Sequence, residues 1–301
     1  MALRRLILET DNRTGLIIKI LGGFYYVTSD DETLECRARG LFRKNQITPL
    51  VGDYCKVRIT KEDSTVGYIE EILPRKNELL RPPVANVDQI IIVFSSKNPK
   101  PNVRLIDKFL IQNEYYGVNS IICINKMDLD WEEGERLKSI YEKAGYEVVL
   151  TSSAEIDSLS ILKDKLINKI SAFAGPSGVG KSTLLNLIEK SLSLKTGEIS
   201  EKLNRGKHTT RHVELFKLSI GGWVVDTAGF SSLDLENVTK SNLKDYFIEF
   251  NLYDDCRFSD CHHYREPGCQ VKEMVNTQAI SPERYASYLE LYEILLSGGK
   301  I

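Results

Sequence analysis

The stretch that most restricts what this chain can become is GPSGVGKS, residues 175–182, which matches the pattern GxxxxGK[ST]. It follows ISAFA, an apolar run of strand length, and leads into STLLNLI, whose apolar spacing is helical. A strand, a glycine turn and a helix in that order wrap backbone N–H groups around an anion at the positive end of the helix. The loop therefore commits the central part of the chain to an α/β sheet that binds a nucleotide. Gly175, Gly178 and Gly180 let the backbone close on phosphate oxygens, with Pro176, Ser177 and Val179 between them. Lys181 is placed to reach the β- and γ-phosphates, Ser182 to put its hydroxyl on Mg²⁺, and Thr183 to complete the lining.

The base is read from elsewhere. NKMD, 125–128, directly follows the apolar run SIICI, so Asn125 and Asp128 are expected at the carboxyl end of a strand, where such sheets bind ligands. A carboxylate at Asp128 accepts both N1–H and the exocyclic amine of guanine, whereas adenine has no donor at N1. A site built for that edge leaves polar groups unpaired with the wrong base. Asn125 supports the base and ties the loop together, and the Lys126 stem lies over the ring. TSSAE, 151–155, follows the strand-like YEVVL and offers the Ala154 N–H to guanine O6, with Ser152 and Ser153 shaping the turn. DTAG, 226–229, follows WVV; Asp226 is expected to hold Mg²⁺ through water and the Gly229 N–H to meet the γ-phosphate. Four elements, each after a buried strand, make a GTP site. Their order is unusual, because the base-reading loops precede the phosphate loop. A circular permutation produces that order while the strands keep their places in the sheet.

The rest of the chain divides by pattern. Over residues 13–73, short apolar or alternating runs such as GLIIKI, GFYYVTS and DYCKVRI recur between turn residues, which suits a small β-barrel of the oligonucleotide-binding (OB) or SH3-like kind. LPRKNELLRPP reads as a linker halted by Pro82 and Pro83. From Val87 onward, strand and helix patterns alternate through VDQIIIVFSS, RLIDKFLIQNEYYG and EEGERLKSIYEKAG. In the last helix Ser281 is the expected N-cap and Pro282 the first helical residue, with a packing stripe of Tyr285, Tyr288, Leu289, Tyr292, Leu295 and Leu296. A formal charge of -2 excludes a generally polybasic protein, so any nucleic-acid contact must be local. The short apolar run near the N-terminus is too short for a secretory signal, and no stretch of about 18 apolar residues occurs. A cytoplasmic protein with no membrane contact is expected.

CRFSDCHHYREPGC contains Cys256, Cys261, His263 and Cys269, with His262 as a neighbouring alternative. Three thiols and an imidazole within so short a span suit a closed tetrahedral Zn²⁺ site, hence one structural zinc per chain. A loop this polar has no core of its own, so removing the metal should unfold it.

Together, NKMD, TSSAE, GPSGVGKST, RGKHTTR, DTAGF, the N-terminal β region and the cysteine cluster resemble the circularly permuted GTPases. Among these the chain is similar to the ribosome small subunit-dependent GTPase A family, over nearly its whole length. The resemblance implies a multidomain protein: an N-terminal all-β OB barrel (1–75), a central α/β P-loop GTPase with permuted motif order (76–235), and a C-terminal, mostly helical zinc-binding domain (236–301). It implies GTP hydrolysis on the small (30S) ribosomal subunit late in its maturation, slow alone and stimulated by the subunit, with Mg²⁺ accompanying GTP. The expected partners are that subunit, its rRNA, GTP and GDP, with the protein a monomer. RGKHTTR, 205–211, stands where a switch I segment belongs, and Thr209 or Thr210 would bind Mg²⁺ and the γ-phosphate. Phe230 occupies the position of a water-orienting glutamine and cannot hydrogen-bond, so His208 is the expected group for orienting or deprotonating water. Arg37, Arg39, Arg43 and Lys44 are the candidate RNA contacts on the barrel. The rival readings are a signalling GTPase, which needs neither zinc nor barrel, and an ATP-using P-loop enzyme, which does not explain NKMD with TSSAE.

Overall fold

The computed structural model describes residues 12–38, 47–60, 63–192, 213–225, 233, 235–253 and 255–301. They fall into two compact units, Met1–Val87 with Thr210–Phe216, and Asp88–Thr209 with Lys217–Ile301.

In the first unit, strands β1 (Asn12–Leu21), β2 (Phe24–Ser29), β3 (Glu32–Ala38), β4 (Tyr54–Ile59) and β5 (Val66–Ile72) close into a barrel in the order β1-β2-β3-β5-β4. Alternation makes the strands two-faced: Cys55, Val57 and Ile59 of β4 point inward, while Tyr54 and Lys56 face water. The interior is filled by Ile17, Val27, Leu34, Cys36, Cys55, Val57 and Ile69. Register shifts between Ile17 and Lys19 and between Lys56 and Val57 bend the strands toward closure. The stretch expected as a linker is instead a hairpin, β6 (Glu78–Leu80) with β7 (Pro83–Ala85). Its ends are fastened to a distant turn: the Ala85 N–H donates to Val51 O at 2.9 Å and Asn86 Nδ2 to Gly52 O at 2.8 Å. Arg75 also pairs with the buried Asp53 at 2.7 Å.

The second unit is built on a six-stranded sheet in the order β10-β9-β8-β11-β13-β12, and the chain passes from the first unit into the second within the edge strand β12. Its strands are β8 (Gln89–Ser95), β9 (Asn119–Asn125), β10 (Glu147–Leu150), β11 (Ile170–Ala174), β12 (Leu215–Lys217) and β13 (Trp223–Val225). Strands β10, β9, β8, β11 and β13 are paired in parallel. Every residue of β8 and β11 is buried, as expected for strands covered on both faces. Ile91, Val93, Cys123 and Phe173 join Leu162 and Leu166 of α3 (Ser160–Leu166) and Leu184, Leu185 and Ile188 of α4 (Lys181–Ile188) in one core. On the other face Phe94 meets Phe109 of α1 (Val103–Tyr116) edge-on at 6.1 Å. The chain enters at the centre on β8, runs outward through β9 and β10, and returns to β11 on the opposite side of β8. A crevice therefore opens between β8 and β11 at their carboxyl ends, where the strand order reverses.

The C-terminal elements pack on this layer. A core of Leu243, Phe247, Phe250, Val271 of α5 (Gln270–Asn276), Ile280, Tyr288, Leu291 and Tyr292 includes Ile111 of α1. The expected packing stripe lies on α6 (Pro282–Leu296): Tyr288 and Tyr292 are buried, and Tyr285, Leu289 and Leu295 pack partly against the core, whereas Leu296 is exposed. Ser281 occupies the cap position through its backbone, with no side-chain cap bond. At the centre Arg284, fully buried, binds Glu249 through two nitrogens at 2.8 and 2.7 Å and Asp107 of α1 at 2.5 Å. The Tyr141 hydroxyl of α2 (Trp131–Lys143) donates to the same Asp107 oxygen at 3.1 Å.

Candidate nucleotide site and metal centre

β11 delivers the phosphate loop and β9 the NKMD turn; the two strands flank β8, so both loops emerge at the same carboxyl end of the sheet. Gly175 turns over the β8 backbone with φ of 127°; a Cβ there would lie 2.2 Å from Val93 O. Gly180, at φ of 101°, brings the backbone against the NKMD turn, where a Cβ would lie 2.4 Å from Asn125 Nδ2. Both need glycine on conformational and steric grounds. α4 then starts at Lys181, its open N–H groups facing the loop.

Asn125 is buried, and its Nδ2 donates to Val179 O at 2.9 Å, joining residues 54 apart in the chain. Its Oδ1 accepts from Thr151 Oγ1 at 3.1 Å, which locks the amide orientation. Lys126 sits at φ of 61° and stretches across the crevice, its Nζ donating to Gly178 O at 2.7 Å and to Asn98 O. Ser96 Oγ donates to Lys126 O at 2.7 Å. The Asp128 carboxylate is exposed and accepts from Ser152 Oγ at 2.5 Å. Ser152 also accepts the Ala154 N–H at 3.2 Å, and Ser153 and Ala154 lie exposed at the turn. Lys181 lies within the curve of its own loop and donates to Gly175 O at 2.7 Å and Pro176 O at 2.8 Å. Burial pushes this amine down to about 8. An anionic ligand in the curve would restore the charge.

Asn125, Lys126, Asp128, Ser152, Ser153, Ala154 and Gly175 through Thr183 are thus gathered at one crevice. His208, Thr209, Thr210, Asp226 and Gly229 lie outside the described residues, as do Arg39, Arg43 and Lys44. Arg37 is exposed on β3 with its guanidinium 4.8 Å from the Phe24 ring centroid. Two residues that sequence reading passed over belong to the crevice, Thr151 and Ser96. Both stand directly after strands of the parallel sheet, and that position was the available signal.

The second constellation is the cysteine cluster. The ligand atoms of Cys256, Cys261, His263 and Cys269 all lie within 4.8 Å of one another. His263 Nδ1 is 3.6 Å from Cys256 Sγ and 3.4 Å from Cys269 Sγ. A tetrahedron with bonds of about 2.3 Å to sulfur and about 2.0 Å to nitrogen has edges of about 3.5 Å, so the four groups fit Zn²⁺. The left-handed turn at His263, φ of 57°, aims its ring inward, while His262 packs on Tyr292 at 5.7 Å. Burial pushes the His263 imidazole down to about 4, which keeps it neutral as a ligand must be, and pushes the Cys261 thiol up to about 12. A bound cation reverses the thiol preference. Backbone N–H groups support the sulfurs, from His263 to Cys261 at 3.3 Å and from Gln270 to Cys256 at 3.4 Å.

Comparisons with known proteins agree with this arrangement. A family model for the RsgA GTPase matches residues 72–236, and one for the RsgA N-terminal domain matches residues 14–69. The small ribosomal subunit biogenesis GTPase RsgA of Alkaliphilus metalliredigens is 50% identical over 279 residues, covering 92% of this chain and 96% of its own. The protein of the same name from Clostridium novyi is 49% identical over 289 residues, covering 95% and 98%. The crystal structure of YjeQ from Thermotoga maritima aligns with a TM-score of 0.84 at 38% identity, over 95% of this chain and 99% of that one. YloQ, a circularly permuted GTPase, aligns with a TM-score of 0.80 at 39% identity, over 95% and 96%. With a barrel, a phosphate loop entered after its base-reading strand and a Cys/His cluster in one chain, this protein belongs to the RsgA family of circularly permuted GTPases.

Proposed function

We propose that this protein hydrolyses GTP in the biogenesis of the small ribosomal subunit, binding the subunit and its rRNA late in maturation. The observation that carries the nucleotide part is the Asn125–Val179 bond of 2.9 Å, which docks the upstream base-reading turn onto the phosphate loop. The ribosomal part follows from relatives named small ribosomal subunit biogenesis GTPase that match almost end to end. Asp128, with Ser152 and Ala154, reads the guanine edge, and Asn125 and Lys126 brace it. Gly175 through Thr183 hold the phosphates, with Ser182 on Mg²⁺, Asp226 holding Mg²⁺ through water, and Gly229 at the γ-phosphate. Mg²⁺ neutralises charge that develops on the phosphate oxygens.

Lys181 reaches the β- and γ-phosphates. His208 orients or deprotonates water once the subunit orders its segment, beside Thr209 or Thr210. Zinc on Cys256, Cys261, His263 and Cys269 is structural, and Arg37, Arg39, Arg43 and Lys44 meet RNA. The protein works as a barrel (1–75), a GTPase domain (76–235) and a zinc domain (236–301), a cytoplasmic monomer released from the subunit with GDP. Among the described residues no helix is long and apolar enough to cross a membrane.

The test is GTP turnover with and without purified small subunits. Strong acceleration by the subunit is expected, and its absence would refute the assembly role while leaving the GTPase. His208→Ala should lose the acceleration while binding nucleotide normally; retained acceleration removes His208 from the mechanism.

A further inference from the structure

The Asp128 carboxylate leans on Ser152, and Ser152 leans on Ser158. Asp128 Oδ1 accepts from Ser152 Oγ at 2.5 Å. Ser152 is buried, and both polar groups of its backbone meet a single side chain: the Ser152 N–H donates to Ser158 Oγ at 2.9 Å, and Ser158 Oγ donates to Ser152 O at 3.0 Å. Ser158 Oγ also lies 2.6 Å from Glu155 O, so its one proton is shared between two carbonyls. The hydroxyl thus closes the turn on itself from the inside.

What that hydroxyl controls follows from how the turn is anchored. Its upstream end is fastened to the sheet, where the Thr151 N–H donates to Ile124 O at 2.8 Å. Its downstream end is a single 3₁₀ turn (Ile156–Leu159), in which the Ser158 N–H donates to Glu155 O at 3.0 Å and the adjoining Leu159 is fully buried with Val149 and Leu162. Between these anchors Ser153, Ala154 and Glu155 are exposed, and Ser152 pairs with Glu155 in an isolated bridge whose N–H to O distance is 3.2 Å. Ser152 therefore has the sheet on one side and the Ser158 hydroxyl, standing on the core, on the other.

We infer that Ser158 is a positioning residue for guanine selectivity: by fixing the backbone of Ser152 it aims the Ser152 hydroxyl, and through it the Asp128 carboxylate, at the edge of the base. The inference rests on the reading of Asp128 as the acceptor of guanine N1–H and the exocyclic amine. Two carboxylate oxygens meet two donors together only while the carboxylate plane is held, and the terminal torsion of an aspartate is soft. A carboxylate that turns keeps one bond and loses the other. Hypoxanthine presents the same N1–H and O6 as guanine but lacks the amine. The signature is therefore the ratio of affinities for GDP and inosine diphosphate, which a change in the amount of folded protein does not move.

The experiment is competition binding of GDP and inosine diphosphate to the full chain. The wild type should prefer GDP by about tenfold to a hundredfold, the worth of a hydrogen bond to a charged group. Ser158→Ala should narrow that ratio roughly three- to tenfold, mainly by weakening GDP. A purely structural role would weaken both diphosphates by one factor, or lower the fraction of protein that binds, and leave the ratio in place. Ser158→Cys, whose thiol is a weaker donor and acceptor, should narrow the ratio less, in the same direction; it decides the matter should Ser158→Ala not fold. If the wild type prefers GDP and neither variant narrows the ratio, the inference is overturned and the reading of Asp128 stands. If the wild type binds the two diphosphates equally, the reading of Asp128 falls and this inference with it.

Discussion

The exposed carboxylate of Asp128 is bonded to one hydroxyl, from Ser152, and therefore keeps acceptor capacity for a base that presents two donors on one edge. Asparagine in its place would keep the bond to Ser152 but meet the guanine exocyclic amine with its own N–H₂. Asp128→Asn should weaken GDP binding at least about a hundredfold and shift preference toward xanthine nucleotides, whose O2 accepts that donor. Competition binding with the two diphosphates checks it, and undiminished guanine binding would remove Asp128 from base recognition. The Lys181 amine makes a separate prediction. Burial pushes it down to about 8, and a phosphate beside it raises it again. Binding therefore takes up a proton wherever the free amine is neutral, above about pH 8, and takes up none well below it. Affinity for nucleotide should be flat below pH 7 and fall above 8 by at most about tenfold per pH unit. Calorimetry in buffers of different ionisation heat reads the proton directly. The sign for stability is consistent: the folded amine binds fewer protons than the unfolded one between about 8 and the ordinary lysine value of 10.5, so the free protein gains stability as pH rises through that window.

At the scale of elements, the site depends on β11, its loop and α4 fitting against the end of β9. Gly180 is the point of closest fit, so Gly180→Ala combines an unfavourable φ with a Cβ driven into Asn125 Nδ2. A loss of about 1–3 kcal/mol of stability is expected. It should come with weakened nucleotide binding, because the Asn125–Val179 bond must stretch; urea unfolding and GDP titration report the two. Normal binding in the variant would mean that this contact is dispensable. What could be read from sequence at this scale was what local chemistry determines. The glycines of the phosphate loop, the strand before each recognition loop and the four positions of the Cys/His cluster each show themselves within a few residues. The pieces that escaped depend on partners far away in the chain. Residues 73–83 look like a linker because nothing nearby reveals that Val51 and Gly52 wait for Ala85 and Asn86. Glu189 looks like an ordinary charged helix end, since its acceptor role appears only once Ser219 folds back beside it. His263, named from the sequence with His262 as its alternative, is the histidine that a left-handed turn brings into the cluster.

At the scale of the whole molecule, the C-terminal elements that carry the Cys/His cluster and the α/β layer share a compact unit and a buried charge cluster. Arg284 reaches Asp107 on α1 and Glu249 before the cysteine cluster, with Phe247 4.7 Å beneath its guanidinium and Tyr141 bonded to the same Asp107. Removing the arginine leaves two buried carboxylates without their cation, and breaking such a pair typically costs about 3–5 kcal/mol. If the cluster joins the C-terminal elements to the layer, that cost must be felt on the layer itself. The chain offers a way to see this, because its two tryptophans, Trp131 at the start of α2 and Trp223 in β13, both lie in the layer. Tryptophan fluorescence therefore follows the layer, while zinc release follows the cluster. Arg284→Met should lower the urea midpoint seen by fluorescence, and chelating zinc from the wild-type protein should lower that same midpoint, since the cysteine loop and α6 share the core that includes Ile111 of α1. Adding Asp107→Asn and Glu249→Gln to Arg284→Met should recover part of the loss, because the uncompensated charges, not the missing bonds, carry most of it. A fluorescence midpoint that stayed put while circular dichroism lost C-terminal helix would show that the two parts unfold independently, and the coupling would have to be abandoned.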